Sequence, residues 1–307
     1  MNIHPDVVGI DVSMRRLDIF DGRPSSCANT AQAIEPLARG WADRDVLVVL
    51  EATGAYDRTL RRALHEAGVR CARVNPGRAR DFARASGLLA KTDAVDARML
   101  ADLGRVLQPR PEQPFDAARE TLAALVRRRD QLVAQRKQEV TRLKGELDPW
   151  VEDDVRQHLI FLDGRVGALE LQIKAHLAAS PALGVRRRLL LSLPGVGSIT
   201  ANILTALMPE LGAVSDKAVA ALAGLAPINR DSGQQRGRRT VGGGRSRVRE
   251  AMYMAALSAT RSHSCLAARY RRFLDAGKPP KLALIALARH MLVVLNAMLR
   301  DQQPFRA

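Results

Sequence analysis

Four acids stand where a carboxylate needs a counter-charge. Asp11 interrupts the apolar run Val7-Val8-Gly9-Ile10-Asp11-Val12-Ser13, whose length and composition predict a buried strand. An ionised aspartate there is costly unless it is paired, reaches an open edge of the sheet or meets a cation. Glu51 closes a second such run, Val46-Leu47-Val48-Val49-Leu50. Asp93 and Asp96 sit three apart before Ala97, Met99, Leu100 and Leu103, so both lie on one face of a helix start. Taken alone, that pair reads as helix-start acids favoured by the macrodipole. Beside Asp11 and Glu51 the balance reverses, because strand ends are where ligand-binding residues of open sheets gather.

A second chemistry is available downstream. The stretch Asn229 to Arg249 carries Arg230, Arg236, Arg238, Arg239, Arg245, Arg247 and Arg249 against one acid, Asp231. Ser232-Gly233 and Gly242-Gly243-Gly244 are interleaved with them, which predicts a glycine-rich, strongly cationic loop. Ser232 reads either as a turn residue or as a nucleophile in a phosphate-binding setting. Composition does not choose between the two. Upstream, Leu190 to Ala201 reads as an apolar helix, a Pro194-Gly195-Val196-Gly197 turn and a second helix opening at Ser198. This predicts a helix-hairpin-helix element: Gly195, Gly197 and Ser198 would offer backbone amides to a phosphate without reading sequence. A plain helical turn is the alternative.

These residues need elements to position them. After the first strand, Arg15 to Phe20 can return as a second, with Leu17 and Ile19 on one face and Arg16 and Asp18 on the other. Helix patterns at Ala31–Trp41 and Tyr56–Ala67 alternate with strand patterns at Val46–Leu50 and Val69–Val74, so a mixed or parallel sheet is expected. Three prolines in Gln108 to Pro114 mark a linker. Residues 119–148 then read as one long helix. A second follows Asp148-Pro149, with a seam of Val155, Leu159, Leu162, Val166, Leu169 and Ile173. Arg129 and Arg136 interrupt the seam of the first helix, and a narrow seam suits pairing with another subunit at least as well as packing within the chain. The expected domains are residues 1–110, 111–180 and 181–307.

The charge is unevenly placed. Of a net +16 over 307 residues, residues 181–307 hold 20 Lys and Arg against 6 Asp and Glu. Such asymmetry favours a polyanion partner. Aromatic residues are 4% of the chain, too few for a base-stacking platform to dominate binding. Cys27, Cys71 and Cys265 are spaced for neither a zinc site nor a disulfide framework, which fits a reducing, cytoplasmic setting. Neither a leader peptide nor a run long enough to span a membrane is expected.

Taken in order, Gly-Ile-Asp-Val-Ser, Leu-Glu-Ala-Thr-Gly, Val-Asn-Pro, Lys-Thr-Asp-Ala-Val-Asp-Ala, Leu-Pro-Gly-Val-Gly, Gly-Leu-Ala-Pro and Asp-Ser-Gly resemble the DEDD insertion-sequence transposases, which include the bridge-RNA-guided recombinases. The resemblance implies an RNase H-like (RuvC-like) mixed-sheet domain, a helical coiled-coil spacer and a mostly α C-terminal domain. It implies Mg²⁺ on Asp11, Glu51, Asp93 and Asp96, and Ser232 as the nucleophile of strand exchange through a covalent phosphoserine. Target and donor DNA, a structured non-coding RNA and homodimers that pair into tetramers are the implied partners. The competing readings are a RuvC-like nuclease or junction resolvase that uses water, and a non-catalytic nucleic-acid-binding protein.

Overall fold

The computed structural model describes residues 6–52, 54, 56–87, 93–228 and 240–306, with the side chains of Asp93 and Ala94 left undescribed. The chain forms two compact units, Met1–Phe115 and Asp116–Ala307.

The first unit is a five-stranded mixed sheet with helices. Strands β1 (Asp6–Val12), β2 (Arg16–Phe20) and β3 (Pro24–Ala28) form an antiparallel meander. On the other side of β1, β4 (Val46–Glu51) and β5 (Arg70–Val74) are parallel to it, giving the order β3-β2-β1-β4-β5. Crossovers run through α1 (Ala31–Ala42) and α2 (Arg58–Glu66), while α3 (Pro76–Ala85) and α4 (Asp93–Leu107) follow β5. Strand β3 and helix α3 were not expected. The first is a polar edge, Pro-Ser-Ser-Cys-Ala, without apolar alternation. The second begins at the Asn75-Pro76 pair that looked like a stop: Asn75 caps it, accepting from Gly77 N at 2.8 Å, and Pro76 takes the first helical position.

Alternation along the strands sorts the two faces. Val8, Ile10, Val12, Leu17, Ile19, Val48 and Leu50 pack with α1 and α2. Val7, Leu47, Val49, Ala72 and Val74 pack with Met99, Leu100 and Leu103 of α4. Helix α4 lies on the sheet backbone to backbone. A Cβ on Gly9 would fall inside van der Waals contact of the Ala97 carbonyl oxygen and the Ala101 amide, and 3.1 Å from Ala101 Cα. The reverse knob, a Cβ on Gly104, would lie 2.7 Å from Val49 Cγ2.

The expected linker is anchored at Glu112. Its amide donates to the Cys71 carbonyl at 2.8 Å, and its carboxylate accepts from Arg61 Nε at 2.6 Å and Arg73 Nε at 2.8 Å. Burial opposes ionisation of Glu112, but Arg73 and Arg61 outweigh it and hold the carboxyl below its usual range. At the neighbouring Asp57, burial prevails over the same arginines and pushes the carboxyl up.

In the second unit, α5 (Ala117–Arg142) and α6 (Pro149–Ala178) form an antiparallel hairpin, followed by α7 (Pro181–Leu191), α8 (Ser198–Leu207), α9 (Asp216–Leu222), β6 (Pro227–Ile228), β7 (Thr240–Val241), α10 (Ser246–Ala259), α11 (Cys265–Asp275) and α12 (Pro280–Asp301). The hairpin is not a separate spacer: Leu122, Ala123, Val126, Ile173 and Leu177 at its base belong to the core of this unit. Its seam is used within the chain, since Val155, Leu162 and Ile173 are buried in the isolated chain. The arginines that interrupt the seam of α5 are the cross-links of the hairpin. Arg129 Nη2 meets Glu170 Oε1 at 2.6 Å, and Arg136 Nε meets Asp163 Oδ1 at 2.5 Å. This is the packing within the chain that a narrow seam also allowed; Trp150, Val151, Ile160, Phe161 and Leu171 are the large apolar side chains α6 leaves exposed. Expecting no membrane-length apolar run is corrected. The 22 residues of α12 are long and apolar enough by composition, but Leu287, Ala288, Met291, Leu292 and Leu295 are fully buried in the core of the unit.

Gly9→Ala is expected to destabilise the first unit by about 2–3 kcal/mol through overpacking, read as a lower urea midpoint. Gly40→Ala, whose Cβ meets open space, is expected to leave that midpoint unchanged or higher. A lowered folded pKa gives stability that is complete above the unfolded pKa and is lost as pH falls through the folded one. Stability of the first unit should thus fall below the ordinary glutamate range. The difference curve between wild type and Glu112→Gln isolates this, because Asp57 contributes with the opposite sign.

Candidate active site

The strand register sets acids side by side. Asp11 on β1 is directly opposite Asp18 on β2, and Asp18 is opposite Ser26 on β3. On the parallel side Ile10 pairs with Leu50, so Asp11 and Glu51 are level one step further along. Three carboxylates thus occupy three adjacent strands at one level, with strands spaced about 4.8 Å apart. They share a face: Asp11 has the parity of Val7 and Gly9, Glu51 that of Leu47 and Val49, and Asp18 that of Phe20, which lies under the guanidiniums of Arg98 and Arg105 of α4.

Helix α4 completes the row. Ala97 and Ala101 cross Gly9, and Gly104 crosses Val7, so the helix runs antiparallel to β1. Its first turn, Asp93 to Asp96, therefore falls at the level of Asp11. The backbone contact at Gly9 delivers that turn, since any side chain there would lift the helix off the strand. Asp11, Glu51 and Asp96 are half-buried, at the open end of the parallel strands.

The donor chemistry fits a hard divalent cation: only carboxylate oxygens, at strand ends and at the start of a helix that a glycine contact lays across one of those strands. Among the described residues no three acid, histidine or cysteine side chains are already gathered as a metal set. The side chain of Asp93 lies outside the described residues. The sequence reading missed Asp18, although the alternation had placed it on the face opposite Leu17 and Ile19.

In the second unit the helix-hairpin-helix expectation corresponds to α7, the 192–197 turn and α8. Gly195 has φ +89°, and a Cβ there would lie 2.7 Å from Ala259 Cβ, so the turn is packed directly on α10. Gly197 is the N-cap of α8, with open space around it. Beside the helix start is a groove of about 300 Å³ whose polar lining includes Arg129, Lys174, Arg187, Ser198 and Asn202. Arg187 Nε donates to Asn202 Oδ1 at 2.7 Å.

Arg230, Arg236, Arg238, Arg239 and Ser232 lie outside the described residues. The segment holding them is entered and left through β6 and β7, which pair Pro227 with Val241 and Ile228 with Thr240. Behind this stem Gly224 and Gly244 pack backbone on backbone, and Arg245 N donates to Leu222 O at 2.8 Å. The remaining arginines are used internally. Arg245 makes a two-pronged pair with Glu210, at 2.6 and 2.8 Å, and Arg247 another with Asp130. Arg249 donates to Gly243 O at 2.7 Å. Arg245 and Arg247 keep 35% and 34% of their side chains exposed while making these pairs. The partner acids, Glu210 and Asp130, lie too far off in sequence for any local pattern to show the pairing.

Arg247→Ala should cost about 1 kcal/mol, the worth of a partly exposed two-pronged pair, read by thermal unfolding. It should leave the salt dependence of DNA binding unchanged, whereas a phosphate contact would lower the log–log slope by about one.

Two family models match the chain. A DEDD-type IS110 transposase domain covers residues 6–150, and a Transposase IS116/IS110/IS902 family domain covers residues 187–271. The pilin gene-inverting protein of Moraxella lacunata is 28% identical over 262 residues, spanning 84% of this chain and 81% of that protein. An uncharacterized 42 kDa protein of insertion element IS900 from Mycobacterium paratuberculosis is 29% identical over 310 residues, 98% of this chain and 67% of its own length. An uncharacterized 43.6 kDa protein of insertion element IS110 from Streptomyces coelicolor is 37% identical over 136 residues, 44% of this chain and 33% of its own. With the acids on one sheet face inside the first matched region and the glycine-clasped stem inside the second, the chain belongs to the IS110 family of transposases.

Proposed function

We propose that this transposase cleaves and exchanges DNA strands at the carboxylate face of its first unit, with Ser232 as nucleophile. The single observation that carries the reading is the level row of acids on β1 and β4 with the first turn of α4 laid across it. The strand order β3-β2-β1-β4-β5, three antiparallel strands followed by two parallel ones, supports an RNase H-like fold. Asp11, Glu51, Asp93 and Asp96 would hold Mg²⁺, which when bound supplies charge stabilisation at attacking and leaving oxygens.

The residues of this chain would divide the work as follows. The carboxylates would hold the cation beside the scissile phosphate, and their fixed places on the sheet would set its orientation. Ser232 Oγ forms an ester bond to the phosphorus while one bridging P–O bond breaks. The serine loses its proton and the departing hydroxyl gains one. A hydroxyl of the other duplex then attacks the same phosphorus and loses its proton, forming the new bridging P–O bond, while the Ser232 Oγ–P bond breaks and Ser232 Oγ regains a proton. Arg230, Arg236, Arg238 and Arg239 neutralise the charge gathering on the phosphate. The name of the Moraxella relative, a gene-inverting protein, supports strand exchange over simple hydrolysis.

A structured non-coding RNA would choose target and donor by pairing, leaving the protein to read backbone and shape. Exposed Ile160, Phe161 and Leu171 on α6 supply an apolar face for the dimer, and dimers would pair into tetramers acting on DNA in the bacterial cytoplasm.

The test incubates the full chain with Mg²⁺, junction DNA and RNA transcribed from the flanks of its element, then seeks a denaturant-resistant DNA–protein adduct. Wild type should form it and peptide mapping should place it on Ser232. Ser232→Ala should lose it, Ser215→Ala should keep it, and Asp11→Asn should form none. Cleavage without any adduct would favour the water-using nuclease.

A further inference from the structure

We propose that Arg16 contacts the scissile phosphate at the carboxylate face, and that buried Asp18 is the residue that positions it. The proposal rests on that face being the place of strand cleavage.

Asp18 is 5% exposed, although it stands opposite Asp11, another carboxylate, on the neighbouring strand. Like charges directly opposite each other destabilise a strand pair. Asp18 is stabilised there by Arg16 Nη2, which donates to Asp18 Oδ1 at 2.6 Å. The two residues are i and i+2 on β2 and so project from the same face of the sheet as Asp11 and Glu51. The pair is lopsided: the Arg16 side chain is 61% exposed and its partner 7%. An ordinary surface ion pair joins two mobile, solvated side chains and is worth little. Here one member is fixed in the sheet, and it orients a guanidinium whose other donors face solvent at the rim of the acid row.

The backbone of Arg16 is fixed as well. Ser13 Oγ donates to the Arg16 carbonyl at 2.8 Å and accepts from the Arg16 amide at 3.2 Å, while Ser13 N donates to the Arg16 carbonyl at 3.0 Å. Ser13 follows the strand that carries Asp11, so the β1–β2 turn ties Arg16 to the same strand as the central acid. A phosphodiester bound at the carboxylate face would meet Arg16 on the strand next to Asp11, two residues from Asp18. A guanidinium held at both ends is preorganised to donate to a phosphate oxygen without reorganising as charge develops. Ser13 and Asp18 thereby acquire a shared role: one holds the main chain of Arg16, the other its side chain.

The experiment measures single-turnover cleavage of junction DNA by the full chain with its flank-encoded RNA. Phosphate DNA is compared with each phosphorothioate diastereomer at the scissile position. Mn²⁺ binding to the free chain is measured in parallel by electron paramagnetic resonance. Arg16→Ala should slow cleavage on the order of 10²-fold, the effect of losing one preorganised donor. It should also lose the wild type's sensitivity to one of the two diastereomers, while Mn²⁺ affinity stays at the wild-type value. Arg16→Lys should recover part of the rate, and Asp18→Asn should slow cleavage with the same diastereomer's effect reduced. Wild-type rates in Arg16→Ala, or an unchanged diastereomer preference, would overturn the phosphate contact. Loss of Mn²⁺ binding in step with cleavage would also overturn it, by making Arg16 a support of the acids. If wild type shows no metal-dependent cleavage, or Asp11→Asn cleaves normally, the carboxylate face itself is not the cleavage site and the underlying reading fails.

Discussion

The carboxylate site depends on one contact, the backbone of α4 against the backbone of β1 at Gly9. Strand β1 carries Asp11 and α4 opens with Asp93 and Asp96, far apart in the chain. Close packing alone would bring helix and strand to the usual separation of a sheet and its covering helix, with side chains between them. The absence of a Cβ at Gly9 removes that layer at one point, so Ala97 and Ala101 rest on the strand itself. Met99, Leu100 and Leu103 then fill the space to either side against Val7, Leu47 and Val49. The apolar residues behind the acids lock helix and strand in this register.

The first unit was largely legible from sequence because each of its signals is local. An apolar run ending in an acid, a glycine after a helix and an aspartate pair before an alanine-rich helix each reflect constraints within a few residues. Gly68, at φ +73°, ends α2 where the pattern placed it. What failed in this unit lacked a local signature. Strand β3 is a polar edge recognisable only from its partner β2, and the Asn75-Pro76 pair serves as readily to start a helix as to end a strand. Asp18 was placed on the correct face but not recognised as a neighbour of Asp11, since strand pairing brings them together and sequence spacing does not.

The second unit was less legible for the same reason. The periodicity of the α5–α6 seam is the same whether its partner is the adjacent helix or another subunit. Within the chain the pairing is marked by Arg129 and Arg136, which look like defects in a seam until Glu170 and Asp163 stand across from them. Likewise Arg245 and Arg247 belong to a cationic run by composition, and by geometry each is joined to a carboxylate distant in sequence.

The central claim is that the acids of β1, β4 and α4 form one cation site. The most direct measurement is anomalous diffraction from crystals of the full chain soaked in Mn²⁺, a hard divalent ion with a usable anomalous signal. The account requires a peak beside Asp11, between the end of β4 and the first turn of α4, with Glu51 and at least one of Asp93 and Asp96 in its coordination shell. Its absence there at saturating Mn²⁺, with ions bound only elsewhere on the chain, would contradict the account.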